Sequence, residues 1–203
     1  MTQSQALAIL KTGANVFLTG EPGSGKTYVI NQYVTYLRDR GIEPAITAST
    51  GIAATHIGGI TIHSWSGIGI KTMLNKHDLH KIATSQYIAK RVRRAKVLII
   101  EEVSMLAPET LSMVDMVIRK ITERQEPFGG VQVVFSGDFF QLPPVVKRVM
   151  EDNDTPDHNP YRIAYRNFFL IMRMLTVSMM KYLPNFRVSR GSSQCLRKAR
   201  TRW

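Results

Sequence analysis

The 203-residue sequence predicts an α/β domain with a mainly parallel sheet flanked by helices, followed by an irregular basic tail. Three observations carry that prediction. Short apolar runs alternate with segments whose apolar residues recur at helical spacing, the pattern of strands joined through crossover helices. The first run opens into a glycine-rich turn and then a helix. The later runs end on clusters of polar residues, and parallel sheets place their ligands at the carboxyl ends of their strands.

Residues 3–12 read as a helix, with Ala6, Leu7, Ile9 and Leu10 on an apolar face and Gly13 where a helix C-terminus favours glycine. Residues 16–19 form the first buried strand. Residues 27–40 follow as a helix carrying Val29, Ile30, Tyr33, Val34 and Leu37 at helical spacing, closed by Gly41. A second short strand spans 44–49. The small residues of 50–59 suit a backbone that something must approach closely. Residues 71–94 are polar and basic, and read as partly helical and solvated. The run 96–100 is apolar after its opening lysine and ends in Glu101-Glu102, as expected of a central parallel strand with a functional tip. Pro108 opens a helix to about residue 123, and 131–135 is the fourth strand, ending near Gly137-Asp138.

The turn after the first strand, Gly20-Glu21-Pro22-Gly23-Ser24-Gly25-Lys26-Thr27, fits the phosphate-binding pattern G-x-x-x-x-G-K-[ST]. Glycines let the chain curl so that successive N–H groups face phosphate oxygens, and the helix start adds partial positive charge. Lys26 reaches the β- and γ-phosphates, and the Thr27 hydroxyl is the expected ligand of a nucleotide-bound Mg²⁺. A nucleoside triphosphate is therefore the expected ligand. Its hydrolysis also needs a metal-holding carboxylate and a group that activates water, for which Glu101 and Glu102 are the natural pair. Gln141 suits either a γ-phosphate sensor or a buried structural role.

Length allows one domain of ordinary size plus an appendage. No apolar run is long enough for a membrane span and no leader pattern begins the chain, so neither is expected. A lone cysteine, Cys195, suits a reducing compartment, with the cytoplasm as the default. The formal net charge of +12 is unevenly spread. Residues 1–157 hold 17 Lys and Arg against 15 Asp and Glu, whereas 158–203 hold 10 and no acid. The basic character thus belongs mainly to the tail, and charge alone is weak evidence for a nucleic-acid partner.

Five segments together resemble the PIF-one-like DNA helicases of superfamily one: 19–27, 47–54, 61–64, 99–105 and 137–144, in that order. The resemblance implies a RecA-like P-loop domain over 1–157 that couples hydrolysis of ATP with Mg²⁺ to 5′-to-3′ movement on single-stranded DNA. It further implies that Gly20, Gly23, Ser24, Gly25, Lys26 and Thr27 hold the nucleotide, and that Thr27 and Glu101 hold the metal. By the same resemblance Glu102 activates water, Gln141 senses the γ-phosphate, and Gln3 reads adenine, with Gln5 as the alternative. Thr50, Gly51, Thr61 and His63 correspond to contacts with single-stranded DNA. Trp65 has the shape to stack a base, although core packing is its preferred role. Which transaction is served, among repair, recombination, replication and telomere upkeep, stays open, as do protein partners. A non-hydrolysing nucleotide-binding module and a different P-loop ATPase are the competing readings.

The sequence departs from the family pattern twice. Glu101 stands where the family ordinarily has aspartate, one methylene shorter, which matters for a cation that demands near-ideal octahedral geometry. In residues 158–203 the family pattern of a second RecA-like domain is not found. That methionine- and arginine-rich stretch reads as a truncated or frame-disrupted ending, with a genuine basic extension that binds DNA or a partner as the alternative.

Overall fold

The computed structural model describes residues 1–138. Gln141 and the tail 158–203 lie outside the described residues. Five strands, β1 (Val16–Thr19), β2 (Ala45–Ala48), β3 (Ile60–Thr61), β4 (Val97–Glu101) and β5 (Gln132–Gly137), pair in parallel in the order β1-β5-β4-β2-β3. Seven helices connect and cover them among the described residues: α1 (Gln3–Leu10), α2 (Lys26–Arg38), α3 (Gly51–His56), α4 (Ile62–Ser66), α5 (Lys76–Thr84), α6 (Gln86–Arg94) and α7 (Pro108–Thr122).

Central strands buried on both faces read as unbroken apolar runs because successive side chains point to opposite sides. Val97 and Ile99 of β4 join Val134 of β5 under α1 and α2, with Leu10, Ile30, Tyr33 and Leu37. Leu98, Ile100, Val133 and Phe135 face the other way, beneath α4 to α7, with Ile62, Trp65, Val114, Val117 and Ile118. One residue's shift in register would carry each set to the wrong layer.

The structure adds detail where the sequence was weakly patterned. Residues 71–94 are not simply solvated: Ile82 on α5 and Ala89 and Val92 on α6 are buried against the α7 side of the sheet, so only the outer faces are polar. The small-residue stretch after β2 folds into α3, the two-residue strand β3 and α4. Thr50 and Thr61 begin these helices, each hydroxyl accepting a backbone N–H, from Ala53 and Ser64 respectively, at 3.2 Å. Gly59 is required there because a Cβ would strike the Ile46 carbonyl. Trp65 is 4 % exposed within the core, which rules out base stacking and leaves its packing role. Among the described residues no helix is long and apolar enough to cross a membrane.

Candidate nucleotide and DNA site

All five strands run the same way, so their carboxyl ends share one edge. Pairing matches Thr19 with Gly137, and Ala48 with both Glu101 and Thr61. The segments after the strands thus emerge side by side: the phosphate loop after β1, Thr50-Gly51 after β2, Ile62-His63 after β3, Glu102 after β4 and Asp138 after β5.

The loop adopts the shape its glycines permit. Gly23 and Gly25 take φ of 76° and 87°, left-handed conformations that a side chain would strain. Gly25 begins α2 without a side-chain cap, so the first N–H groups of that helix face the loop unclaimed by any side chain. Lys26 follows, its ammonium donating to the carbonyls of Gly20 at 2.7 Å and Glu21 at 3.1 Å. Ser24 and Thr27 are both exposed, with Thr27 in the first turn of α2. Gln3, at the start of α1, lies against Gly25, where a Cβ would collide with its Nε2. Gln5 is committed elsewhere: its side chain accepts the Thr2 N–H at 2.9 Å and its own N–H donates to the Thr2 hydroxyl at 3.3 Å. Of the two glutamines, only Gln3 is placed beside the loop.

Glu101 closes β4 and is 5 % exposed. Burial and the neighbouring Glu102 push its carboxyl up to about 7, while the positive charge of Lys26 and the nearby Ser136 hydroxyl pull the other way. Lys26 and Glu101 thus sense one another across the gap between β1 and β4. Glu102 has a left-handed backbone, φ 54° and ψ 42°, a conformation costing on the order of 1–3 kcal/mol for a residue other than glycine. That turn sends the chain out of the sheet into a 3₁₀ turn, Val103–Met105, and leaves Glu102 half-buried at the strand tip.

Four buried polar atoms that find no hydrogen-bond partner among the described residues lie at the same edge: Glu101 Oε1 and the hydroxyls of Ser49, Ser104 and Ser136. Ser136 approaches Glu101 closely enough to favour the charged carboxylate without completing a hydrogen bond. Buried polar atoms ordinarily find partners, so this grouping fits a site that receives polar ligands. A hard cation with retained water suits oxygen donors of this kind. Among the described residues no group of three or more His, Cys, Asp or Glu side chains is arranged to hold a metal alone. Magnesium bound through one or two protein oxygens and nucleotide phosphates needs no such group. Ser49 and Ser104 fall within two of the five family-like segments, where the resemblance gives them no role, and Ser136 lies outside them; only the fold gathers the three at the edge that holds Glu101.

Thr50, Gly51, Thr61 and His63 come together on the β2–β3 side of this edge, through the pairing of Ala48 with Thr61. Gly51 is exposed, and His63 is half-buried, with burial lowering its pKa and favouring the neutral ring.

Comparison with known proteins follows the same outline. The PIF1-like helicase family model matches residues 3–156. The ATP-dependent DNA helicase Pif1 of Psychrobacter sp. (strain PRwf-1) is 54 % identical over 154 residues, covering 76 % of this chain and 23 % of that protein. Bacteroides sp Pif1 in complex with ADP-AlF4 superposes with a TM-score of 0.63 at 38 % identity, over 72 % of this chain and 33 % of that one. Bacteroides Pif1 bound to ssDNA superposes at 0.60 and 38 % identity, with the same coverage. The match spans about a quarter of the length of the curated relative. With a family model covering three quarters of its length, and the strand order and loop described above, this chain belongs to the PIF1-like helicase family.

Proposed function

We propose that this chain is the first motor domain of an ATP-dependent 5′-to-3′ DNA helicase, extending over residues 1–157, with 158–203 as a separate basic tail. The observation that carries the reading is the shared edge on which the Lys26 ammonium and the buried Glu101 carboxylate act on one another. In this reading the backbone of Gly20, Gly23, Ser24 and Gly25 cradles the phosphates of ATP, and Lys26 leaves its loop carbonyls for the β- and γ-oxygens. Gln3, beside Gly25, reads adenine. Thr27 and Glu101 hold Mg²⁺, which when bound neutralises charge developing on the phosphates. Glu102, held at the strand tip by its left-handed turn, accepts the proton of the attacking water. Gln141 senses the γ-phosphate. Single-stranded DNA runs along Thr50, Gly51, Thr61 and His63.

The relatives named above, one crystallised with ADP-AlF4 and one with ssDNA, support the choice of ligands. Single strands arise in DNA repair, recombination and telomere maintenance, the transactions proposed for it, and the lone cysteine fits a cytoplasmic setting. Arginines contributed from outside the nucleotide domain accelerate related NTPases by about 10³–10⁵. A nucleotide domain acting without such arginines is accordingly expected to bind ATP and hydrolyse it slowly.

The test is ATP hydrolysis with and without single-stranded DNA. Stimulation by DNA supports the helicase reading. Tight binding without turnover favours a non-hydrolysing module, and turnover indifferent to DNA favours another kind of P-loop ATPase.

A further inference from the structure

We infer that the face formed by the C-terminal ends of α6 and α7 is a second contact surface for the phosphate backbone of nucleic acid. It lies at the opposite end of the sheet from the nucleotide loop, since α6 runs directly into the amino end of β4 and α7 returns toward the amino end of β5. Two adjoining clefts mark it. One, of about 810 Å³, is lined by Lys90, Arg93, Arg94 and Lys120. The other, of about 320 Å³, is lined by Arg93, Lys96 and Arg124. Arg93 belongs to both, and Glu123 is the one acid lining either.

All six basic side chains are exposed, and none forms an ion pair among the described residues. The described residues hold 15 Lys and Arg against 11 Asp and Glu; outside these clefts acids outnumber bases by one. The positive balance of the described residues therefore resides entirely here. Helix C-termini attract cations, but two of them supply only about one negative charge in all, against five surplus positive ones. Arg91 shows what a structural arginine on the same helix looks like: half-buried, donating to the Ser64 carbonyl at 2.7 Å and lying over the Tyr87 ring. Arg93 and Arg94 have no such engagement.

The occupant is a polyanion read by charge. A protein partner of ordinary affinity needs buried Trp, Tyr or large apolar anchors, and the exposed residues of these clefts include none, His80 being their one aromatic ring. One imidazole makes no platform for successive bases, so contact is chiefly with phosphates and indifferent to sequence. This surface stands apart from the single-strand contacts proposed at Thr50, Gly51, Thr61 and His63, and does not depend on them.

The experiment measures binding of labelled oligothymidine and of a labelled duplex to the full chain over a series of salt concentrations. It compares the parent with Lys90→Gln/Arg93→Gln/Arg94→Gln. Removing one phosphate-binding charge lowers the slope of log K against log salt by about 0.7 for single strands and about 0.9 for duplex. The triple variant should therefore reduce the slope by about 2 on oligothymidine or about 2.7 on duplex, whichever nucleic acid is held. Binding of a fluorescent ATP analogue should be unchanged. Lys120→Gln/Arg124→Gln should lower the slope by about 1.4 or 1.8, and serves if the triple variant does not fold. An unaltered slope in both cleft variants would overturn the inference. Because the readout needs no hydrolysis, failure of DNA-stimulated ATPase activity and failure of this surface remain distinguishable.

Discussion

Glu101 is the residue at which stability and function pull apart. Its carboxyl titrates near 4.5 when unperturbed and near 7 in the folded chain, so the folded state keeps a proton that the unfolded state releases. A raised acid of this kind supports folding below about pH 4.5, and that support is lost as pH climbs through about 7. The difference corresponds to roughly 3 kcal/mol. Without nucleotide, Glu101→Gln should therefore be more stable than the parent at about pH 8 and nearly equal to it at about pH 4.5, as read by urea denaturation at the two values. Magnesium-dependent hydrolysis should fall sharply in the same variant. Glu101→Asp restores the family's shorter arm and should raise the ATPase rate if the extra methylene disturbs the metal's water shell; an equal rate would show the longer carboxylate to be harmless.

At the scale of elements, α7 and the 3₁₀ turn Pro127–Gly130 form a clamp that no sequence pattern announces. Asp115 lies on the buried face of α7, 8 % exposed, where its carboxylate accepts the Phe128 N–H at 2.6 Å and meets Arg119 at 3.3 Å. That hydrogen bond holds Phe128 in a left-handed conformation, φ 50°, with its ring edge-on to Phe135 of β5 at 5.9 Å. Removing the acceptor strands a buried N–H, which costs about 1–3 kcal/mol. Asp115→Ala should lower unfolding free energy by that order, with Asp115→Asn losing less, measured by chemical denaturation. The main elements were legible in the sequence because long apolar runs and 3.6-residue spacing survive without tertiary help. Helices α5 and α6 were legible only as a partly helical, solvated stretch, since few side chains, Ile82, Ala89 and Val92 with Leu79, Ala83 and Ile88 partly beside them, turn inward from a largely polar and charged segment. The small-residue segment holding α3, β3 and α4 escaped for a related reason: helices of five or six residues are too short to show a period.

For the whole molecule, ligand and fold are linked by mass action. A ligand that binds only the folded state stabilises it by about 2.7 kcal/mol at a hundred times its dissociation constant. Magnesium with a slowly hydrolysed ATP analogue should raise the melting temperature of the chain by several degrees, in a concentration-dependent way. Lys26→Ala should abolish most of that rise while leaving the nucleotide-free melting temperature close to the parent's, because the hydrogen bonds of Lys26 go to loop carbonyls and its charge acts on Glu101 without an ion pair between them. A rise of the same size in Lys26→Ala would show that the nucleotide is held elsewhere.

Residue identity and order alone determined the α/β alternation, the phosphate loop with Lys26 and Thr27, the Glu101-Glu102 tip and the family, because these depend on spacing within short segments and on the order of those segments along the chain. The fold decided what depends on distance between segments. It set Gln3 rather than Gln5 beside Gly25, gathered Ser49, Ser104 and Ser136 at the edge that holds Glu101, and sent Trp65 into the core. It also drew Lys90, Arg93 and Arg94 of one helix together with Lys120 of another. A linear pattern records which side chains a strand or helix presents; which of them meet is fixed by parallel register and by the layer on which each helix packs.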